Sequence, residues 1–277
     1  MISPELPEDY LPPVLDTISV DPLLDMLALE EIDHNLYRGY LVFSERFALY
    51  GGQVAAQALR AASLTVPRDR LPHSLHGYFL RPGNASRPTV FQVDRDRDGG
   101  SYSARRVVAL QGGEVIFSMS ASFHRGNEGP DKQVADLPAI PVPEDCEGFV
   151  LPRLFSMEGR SVRDQVSQSG WPTRFWARST AGIGNDPMLN ACVLTYLSDI
   201  SSGLFELEDP GDNVRSGSSL DHSVWFHRPA LLDEWVLTDL RPHSIAQGRG
   251  LYTGSVFDRT GQLVATIAQE ALFRPVR

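Results

Sequence analysis

HSLHGYFLRP (His73–Pro82) has an echo in HSVWFHRP (His222–Pro229), which starts 149 residues later in the same chain. Each copy leads into a strand-like run, an Arg-bearing run, a Gly-containing turn and a final apolar strand that ends in Phe. Self-similarity of this kind marks one structural unit built twice. Positions where the two copies differ in chemistry are then the candidates for function.

Working outward from the first copy, LYRGYLVFS (36–44) is aromatic and β-branched and reads as a strand. Gly51-Gly52 follows, then QVAAQALRAASL, where Ala and Leu recur at helical spacing until Pro67 closes the segment. Strands are expected at 73–80, 88–95, 102–111 and 114–124, with Gly112-Gly113 as the last hairpin turn. Around the second copy, RFWARS (174–179) is a strand, and Asp186 can cap a helix over 188–200 that Pro187 opens. Strands follow near 219–227, 234–241, 249–257 and 262–273, the last two joined at Thr260-Gly261. Each half therefore reads strand, helix, four antiparallel strands: an α+β fold in which a sheet wraps one apolar helix and buries both. The expected division is a Pro-rich lead-in at 1–25, a first unit at 26–126, a Pro- and charge-rich linker at 127–165 and a second unit at 166–277.

Composition narrows the function. The chain has 277 residues, 42% of them hydrophobic and 22% charged, enough for two units with cores of their own. A formal net charge of -10 disfavours nucleic acid and anionic membrane as partners, though a local basic patch can still hold a small anion. Cys146 and Cys192 make no disulfide framework, and no His/Cys cluster has metal-ligand spacing, so no metal is expected. No apolar run approaches the roughly 18 residues of a membrane span. The acidic, Pro-rich start MISPELPEDYLPP is the opposite of a signal peptide, so the cytoplasm is the expected location.

Three polar residues stand out against this background. With Gly113 aligned on Gly261, Val115, Phe117, Met119, Ala121 and Phe123 define the core face of the first copy's last strand. Gln269 then falls where the first copy has Ala121. A buried amide without partners costs about 1–3 kcal/mol, so something must bond it, a backbone group at a sheet edge being the plain alternative. Asp199 lies late in an otherwise apolar helix, where the macrodipole disfavours a carboxylate; a solvated Asp in a fraying turn is its alternative. Ser219 precedes the second HS motif, in an SGSS stretch that reads as loop. Other motifs fail. Asp221-His222-Ser223 cannot be a triad, because neighbours on a strand point to opposite faces. His73 and His222 are expected to pack and hydrogen-bond within their sheets. There is no nucleophile elbow, no phosphate-binding loop and no dinucleotide fingerprint.

GGQVAAQAL (51–59), LHGYFLRPG (75–83), SYSARRV (101–107), LDHSVWFHRP (220–229) and VATIAQEALFR (264–274) together resemble the TesB-type acyl-CoA thioesterase II family. The resemblance covers roughly residues 26–277, is weakest over 127–185, and keeps the family's order of motifs. It implies a double hotdog and the hydrolysis of acyl-CoA to fatty acid and CoA, with no cofactor. It also implies a catalytic set of Asp199 in YLSDI, Ser219 in SSLDHS and Gln269 in VATIAQE, the same residues that stand out chemically. Ser219 occupies a position where many members carry Thr, which keeps the hydroxyl but frees its rotamer. Asp199 is the expected general base for a water held by all three. Backbone N–H groups at Gly52 and Gln53 are candidates for the oxyanion. Arg81, Arg105, Arg106, Arg228 and Arg249 are the cations near the paired motifs, with Arg105 and Arg249 the chosen candidates for CoA; a salt bridge is the alternative for each. Acyl-CoA is the expected small-molecule partner, and a homo-oligomer (dimer or tetramer of double hotdogs) is expected. A hotdog enoyl-CoA hydratase would need a D-x-N-x-x-H segment, which is absent; a silent acyl-CoA-binding protein on the same fold is the remaining alternative.

Overall fold

The computed structural model of the chain describes residues 14–15, 21–40, 42–44, 48–151, 154–161, 172–200, 203–207 and 214–275. In chain order it opens with β1 (Val14–Leu15), α1 (Pro22–Leu27) and β2 (Leu29–Asp33). The first unit runs β3 (Leu36–Gly39), β4 (Phe43–Ser44), α2 (Gly51–Ser63), β5 (Leu71–Phe79), β6 (Val90–Asp98), β7 (Tyr102–Gln111) and β8 (Glu114–His124). Then come β9 (Glu147–Phe149) and β10 (Met157–Ser161). The second unit runs β11 (Arg174–Ser179), α3 (Pro187–Ser198), β12 (Val214–Ser219), β13 (Asp221–Phe226), β14 (Val236–Ala246), β15 (Arg249–Asp258) and β16 (Leu263–Pro275).

The two HS motifs are the two strands at which the units join. Fourteen strands form one sheet, in the order β2-β3-β6-β7-β8-β5-β13-β16-β15-β14-β11-β10-β9, with β12 also on β16. β5 and β13 lie antiparallel, and Leu75 faces Val224 across them. Those two residues are also equivalent by the 149-residue offset. A pseudo-two-fold axis therefore passes between them, the geometry that results when one surface pairs with its own copy. Both side chains are fully buried.

Each helix lies against its half of the sheet and against the other helix. Ala55, Ala56, Ala58, Ala61 and Ala62 of α2 are completely buried. Small side chains on all sides let the backbone sit deep inside the sheet's curve while keeping high helix propensity. Asp186 caps α3 as expected, accepting from the Met188 and Leu189 amides, with Pro187 at the first position. Asp21 and Pro22 do the same for α1, whose Leu23, Met26 and Leu27 are buried. That signal lies in the stretch read as an irregular lead-in, much of which (1–13 and 16–20) falls outside the described residues. The stretch read as linker likewise contains β9 and β10, which extend the second unit's edge from β11. Among the described residues no helix is long and apolar enough to cross a membrane.

The register corrects one alignment. At the far end of each motif, Leu80 and Arg81 N–H bond the Ile116 carbonyl, and His227 and Arg228 N–H bond that of Val264. Leu80 is five residues beyond Leu75, but His227 is only three beyond Val224. The first unit's ladder is thus two residues longer between axis and motif end. Leu75 pairs with Ala121 and Val224 with Ile267, so Gln269 occupies the place of Phe123, not that of Ala121. A two-residue slip preserves the face, which is why Gln269 is still turned inward.

Because the axis residues hold the units together, Leu75→Ala should lower stability by about 2–5 kcal/mol. Urea denaturation followed by far-ultraviolet circular dichroism should show one transition for both halves. A loss below about 1 kcal/mol would mean that the joint tolerates a cavity and is not close-packed.

Candidate active site

The axis sets the two helices head to tail, so the C-terminal end of α3 meets the first turn of α2. Asp199 is the C-cap of α3 and is 3% exposed. A carboxylate at the negative end of a helix, out of water, needs strong partners. Ser219 Oγ donates to its Oδ1 at 2.9 Å, and Gln269 Nε2 donates to the same oxygen at 2.8 Å. Across the gap, Oδ2 lies so close to Gly51 that a Cβ there would collide with it. Gly52 is similarly packed on the Tyr196 carbonyl. The turn that carries Asp199 is clamped on both sides: Tyr50 donates to Tyr196 O at 2.9 Å, and Tyr252 to Ile200 O at 3.3 Å. Burial beside the acidic Asp199 and Asp221 pushes the Tyr252 phenol well above its ordinary pKa, so it remains a donor.

Gln269 is fully buried on β16, and its amide is bonded at both ends. Besides Asp199, Nε2 donates to Ser219 Oγ at 2.5 Å. Oε1 lies 2.6 Å from His222 Nδ1, whose Nε2 is 2.7 Å from Ser198 Oγ. The partners are side chains rather than a backbone group at a sheet edge. Ser219 is half-buried at the end of β12, so the SGSS stretch is strand where loop was expected. The structure thus brings Asp199, Ser219 and Gln269 into one hydrogen-bonded ring.

His222 supports that ring: sequence reasoning placed it as packing and hydrogen-bonding within its sheet, and its partner there is Gln269. Burial holds its imidazole neutral, down to about 4, against the opposing hydrogen bond to Gln269. Since the Gln269 NH₂ is committed to Asp199 and Ser219, Oε1 must accept, and the imidazole proton is assigned to Nδ1. Nε2 is then an acceptor that shares the Ser198 hydroxyl hydrogen with the Thr195 carbonyl, 2.9 Å from the same Oγ. The signal available in the sequence was the buried Gln269 itself, which required a donor from the neighbouring strand.

The ring borders a cavity of about 540 Å³ lined by Gly51, Val54, Phe79, Asp199 and Ser219 among others. Tyr50 is the N-cap of α2, and its side chain does not bond the first-turn amides of that helix. The N–H groups of Gly51, Gly52 and Gln53 precede the helix's first internal bond, from Val54 to Tyr50 O, so the positive end of the dipole faces the carboxylate. The Gln53 side chain is buried, and its Oε1 has no hydrogen-bond partner among the described residues. Among the described residues no cluster of three or more His, Cys, Asp or Glu could hold a metal.

The expected cations separate clearly. Arg105 is buried, and its five N–H groups are all used: on Thr65 Oγ1 and O, Arg97 O, Ala104 O and Asp98 Oδ1. No donor remains for a phosphate, so Arg105 braces β7 against the end of α2. Arg249 is half-exposed and bonded to Glu270 at 2.9 Å, away from the cavity lining. Arg106 pairs with Asp94 and Asp96. Only Arg81 of the five lines the cavity.

The other half has no such ring. The offset puts Arg70 at the place of Ser219, and Arg70 donates to Ser103 Oγ and to the Gly99 and Gly100 carbonyls. Phe123 replaces Gln269, and Leu64 is the C-cap of α2.

Residues 43–124 match the family model of the acyl-CoA thioesterase N-terminal domain, and residues 127–273 that of the C-terminal domain. The human acyl-coenzyme A thioesterase 8 is 33% identical over 99% of this chain and 97% of its own length. The crystal structure of an acyl-CoA thioesterase II, TesB2, from Mycobacterium marinum is 39% identical, covers 92% of this chain and 97% of its own, and superposes with a TM-score of 0.76. A hot dog fold protein of unknown function from Alicyclobacillus acidocaldarius, 22% identical, has the same fold at a TM-score of 0.75, over 92% of this chain and 98% of its own. The architecture is an α+β double hotdog.

The buried imidazole predicts a pH dependence. Between about pH 6.5 and 4 the unfolded chain binds a proton at His222 that the folded chain refuses. Stability from this group is therefore complete above 6.5 and falls with pH, by about 3 kcal/mol once below 4. His222→Asn keeps a donor for Gln269 but has no such titration. Urea midpoints of wild type and variant across pH 4–7 should diverge accordingly; parallel curves would show that His222 is not held neutral.

Proposed function

The chain belongs to the acyl-CoA thioesterase family, and from that premise we propose that it hydrolyses acyl-CoA thioesters with a water held by Asp199, Ser219 and Gln269. One observation carries the assignment: a buried carboxylate, held by neutral donors, at the wall of a cavity that a helix N-terminus also faces. Oδ1 takes both side-chain hydrogen bonds, which fixes the carboxylate plane. Oδ2 is turned towards α2 and takes the proton from the attacking water.

The water oxygen bonds to the thioester carbon as that proton leaves, and the carbonyl electron pair moves onto oxygen. First-turn amides of α2, those of Gly52 and Gln53, are the donors proposed for that oxyanion, with the helix dipole behind them. When the C=O reforms, the C–S bond breaks, and the proton on Asp199 passes to the departing CoA thiolate. Fatty acid and CoA leave, and the carboxylate is restored. Positioned proton transfer of this kind is typically worth about 10²–10⁴-fold.

Ser219 has a structural share in this chemistry, because its hydroxyl both donates to Asp199 and accepts from Gln269. Ser219→Thr should retain activity within a few-fold, whereas Ser219→Ala should lose roughly 10-fold or more in kcat by removing a hydrogen bond to a charged group. Thiol release from a series of acyl-CoA chain lengths is the direct assay. Asp199→Asn should lower kcat by about 10²–10⁴-fold with an unchanged circular dichroism spectrum. Near-wild-type turnover by that variant would remove Asp199 from the mechanism.

A further inference from the structure

We infer that Arg81 is the residue that takes the phosphates of coenzyme A at the cavity mouth, an inference that rests on the thioesterase reading. Arg81 is the one basic side chain among the described residues lining the cavity, in a chain of net charge -10. Among the described residues a polyanionic substrate entering there meets no other cation on that wall.

The chain holds an internal comparison for this arginine. Its counterpart at the end of the second motif is Arg228, two residues nearer the pseudo-two-fold axis, and the two are anchored alike. Arg81 donates through Nη1 to Val115 O at 2.8 Å, and Arg228 through Nη1 to Leu263 O at 2.6 Å. Val115 and Leu263 directly precede Ile116 and Val264, whose carbonyls bind the two motif ends. The guanidinium edge left over is Nε and Nη2. In the second unit that edge is filled by Asp131, which accepts from Nε at 3.1 Å and 3.2 Å and from Nη2 as well.

Asp131 comes from the segment between the units. Gln133, two residues on, fixes the segment there through Gly261 O at 2.8 Å and Leu263 N–H at 2.9 Å. In the second unit the chain's own carboxylate thus occupies that edge, and the Arg228 side chain is only 16% exposed. In the first unit Arg81, on the wall of the cavity that the ring borders, is 52% exposed and meets Glu114, itself 64% exposed, at 2.9 Å. So exposed a pair is weak in water. A phosphate offers more charge and the bidentate geometry that a guanidinium prefers, and it displaces Glu114.

Calorimetric titration with CoA and with pantetheine, which lacks the phosphates, tests this without requiring turnover. Arg81→Gln should weaken CoA binding by about 10- to 100-fold and leave pantetheine binding unchanged. Glu114→Gln, which removes the competitor, should tighten CoA binding. In hydrolysis, the Arg81→Gln loss should sit in KM for acyl-CoA and be absent with acyl-pantetheine. CoA affinity untouched by Arg81→Gln, or equal losses on CoA and pantetheine, overturns the inference while leaving the hydrolase assignment intact. Arg81-dependent CoA binding with no thiol release from any acyl-CoA sinks the hydrolase assignment instead.

Discussion

The antiparallel pairing of β5 with β13, centred on Leu75 and Val224, is the constraint on which the rest of the molecule depends. It makes one sheet of two units and sets their helices antiparallel, side by side. A helix C-terminus and a helix N-terminus are thereby brought together, with opposite ends of their dipoles facing. Asp199 lies in that gap, against the direction of its own helix dipole but towards the favourable end of the other. Neither unit alone could build this site, since α3 supplies the carboxylate and α2 the facing amides.

The same pairing generates a second, equivalent gap, and the sequence has spent the two differently. A ladder two residues longer in the first unit moves Phe123 to the place where the second unit has Gln269. Arg70 stands for Ser219, with its donors turned to the Gly99 and Gly100 carbonyls. One gap is filled for packing and the other is left polar. The segment joining the units then lies along the last hairpin of the second unit, tied by Gln133 and Asp131. Connection and cover are the same piece of chain.

Much of this was legible in the sequence because local signals agreed with the fold. Gly112-Gly113, the alternation along 114–124 and the Asp186-Pro187 cap each act within a few residues, and those elements fall where expected. The polar residues of the ring were legible for a related reason: a carboxylate and an amide at apolar positions carry a cost that demands partners. What escaped was non-local. The two-residue difference in the ladder is visible only when both strands are paired. Arg105 read as an available cation because nothing in SYSARRV shows that Thr65, forty residues earlier, takes its Nε. His222 read as packing and hydrogen-bonding within its sheet because its role depends on which end of Gln269 is already in use. The Asp21-Pro22 cap, by contrast, was a local signal of the same kind as Asp186-Pro187, hidden by the Pro-rich sequence around it.

The absence of any cation from the ring has a chemical consequence. Among the described residues, Gln269, Ser219 and, through Gln269, the neutral His222 hold this buried carboxylate through dipoles. A guanidinium at the same place would hold Asp199 more strongly and, for that reason, would remove its capacity to take a proton from water. The first unit shows this alternative nearby: Arg70 occupies the equivalent of Ser219, and no carboxylate ends its helix. Neutral donors fix the carboxylate in position without placing a positive charge beside it. The two requirements conflict wherever a salt bridge supplies the fixing, and the choice of an amide and a hydroxyl in the second unit resolves that conflict.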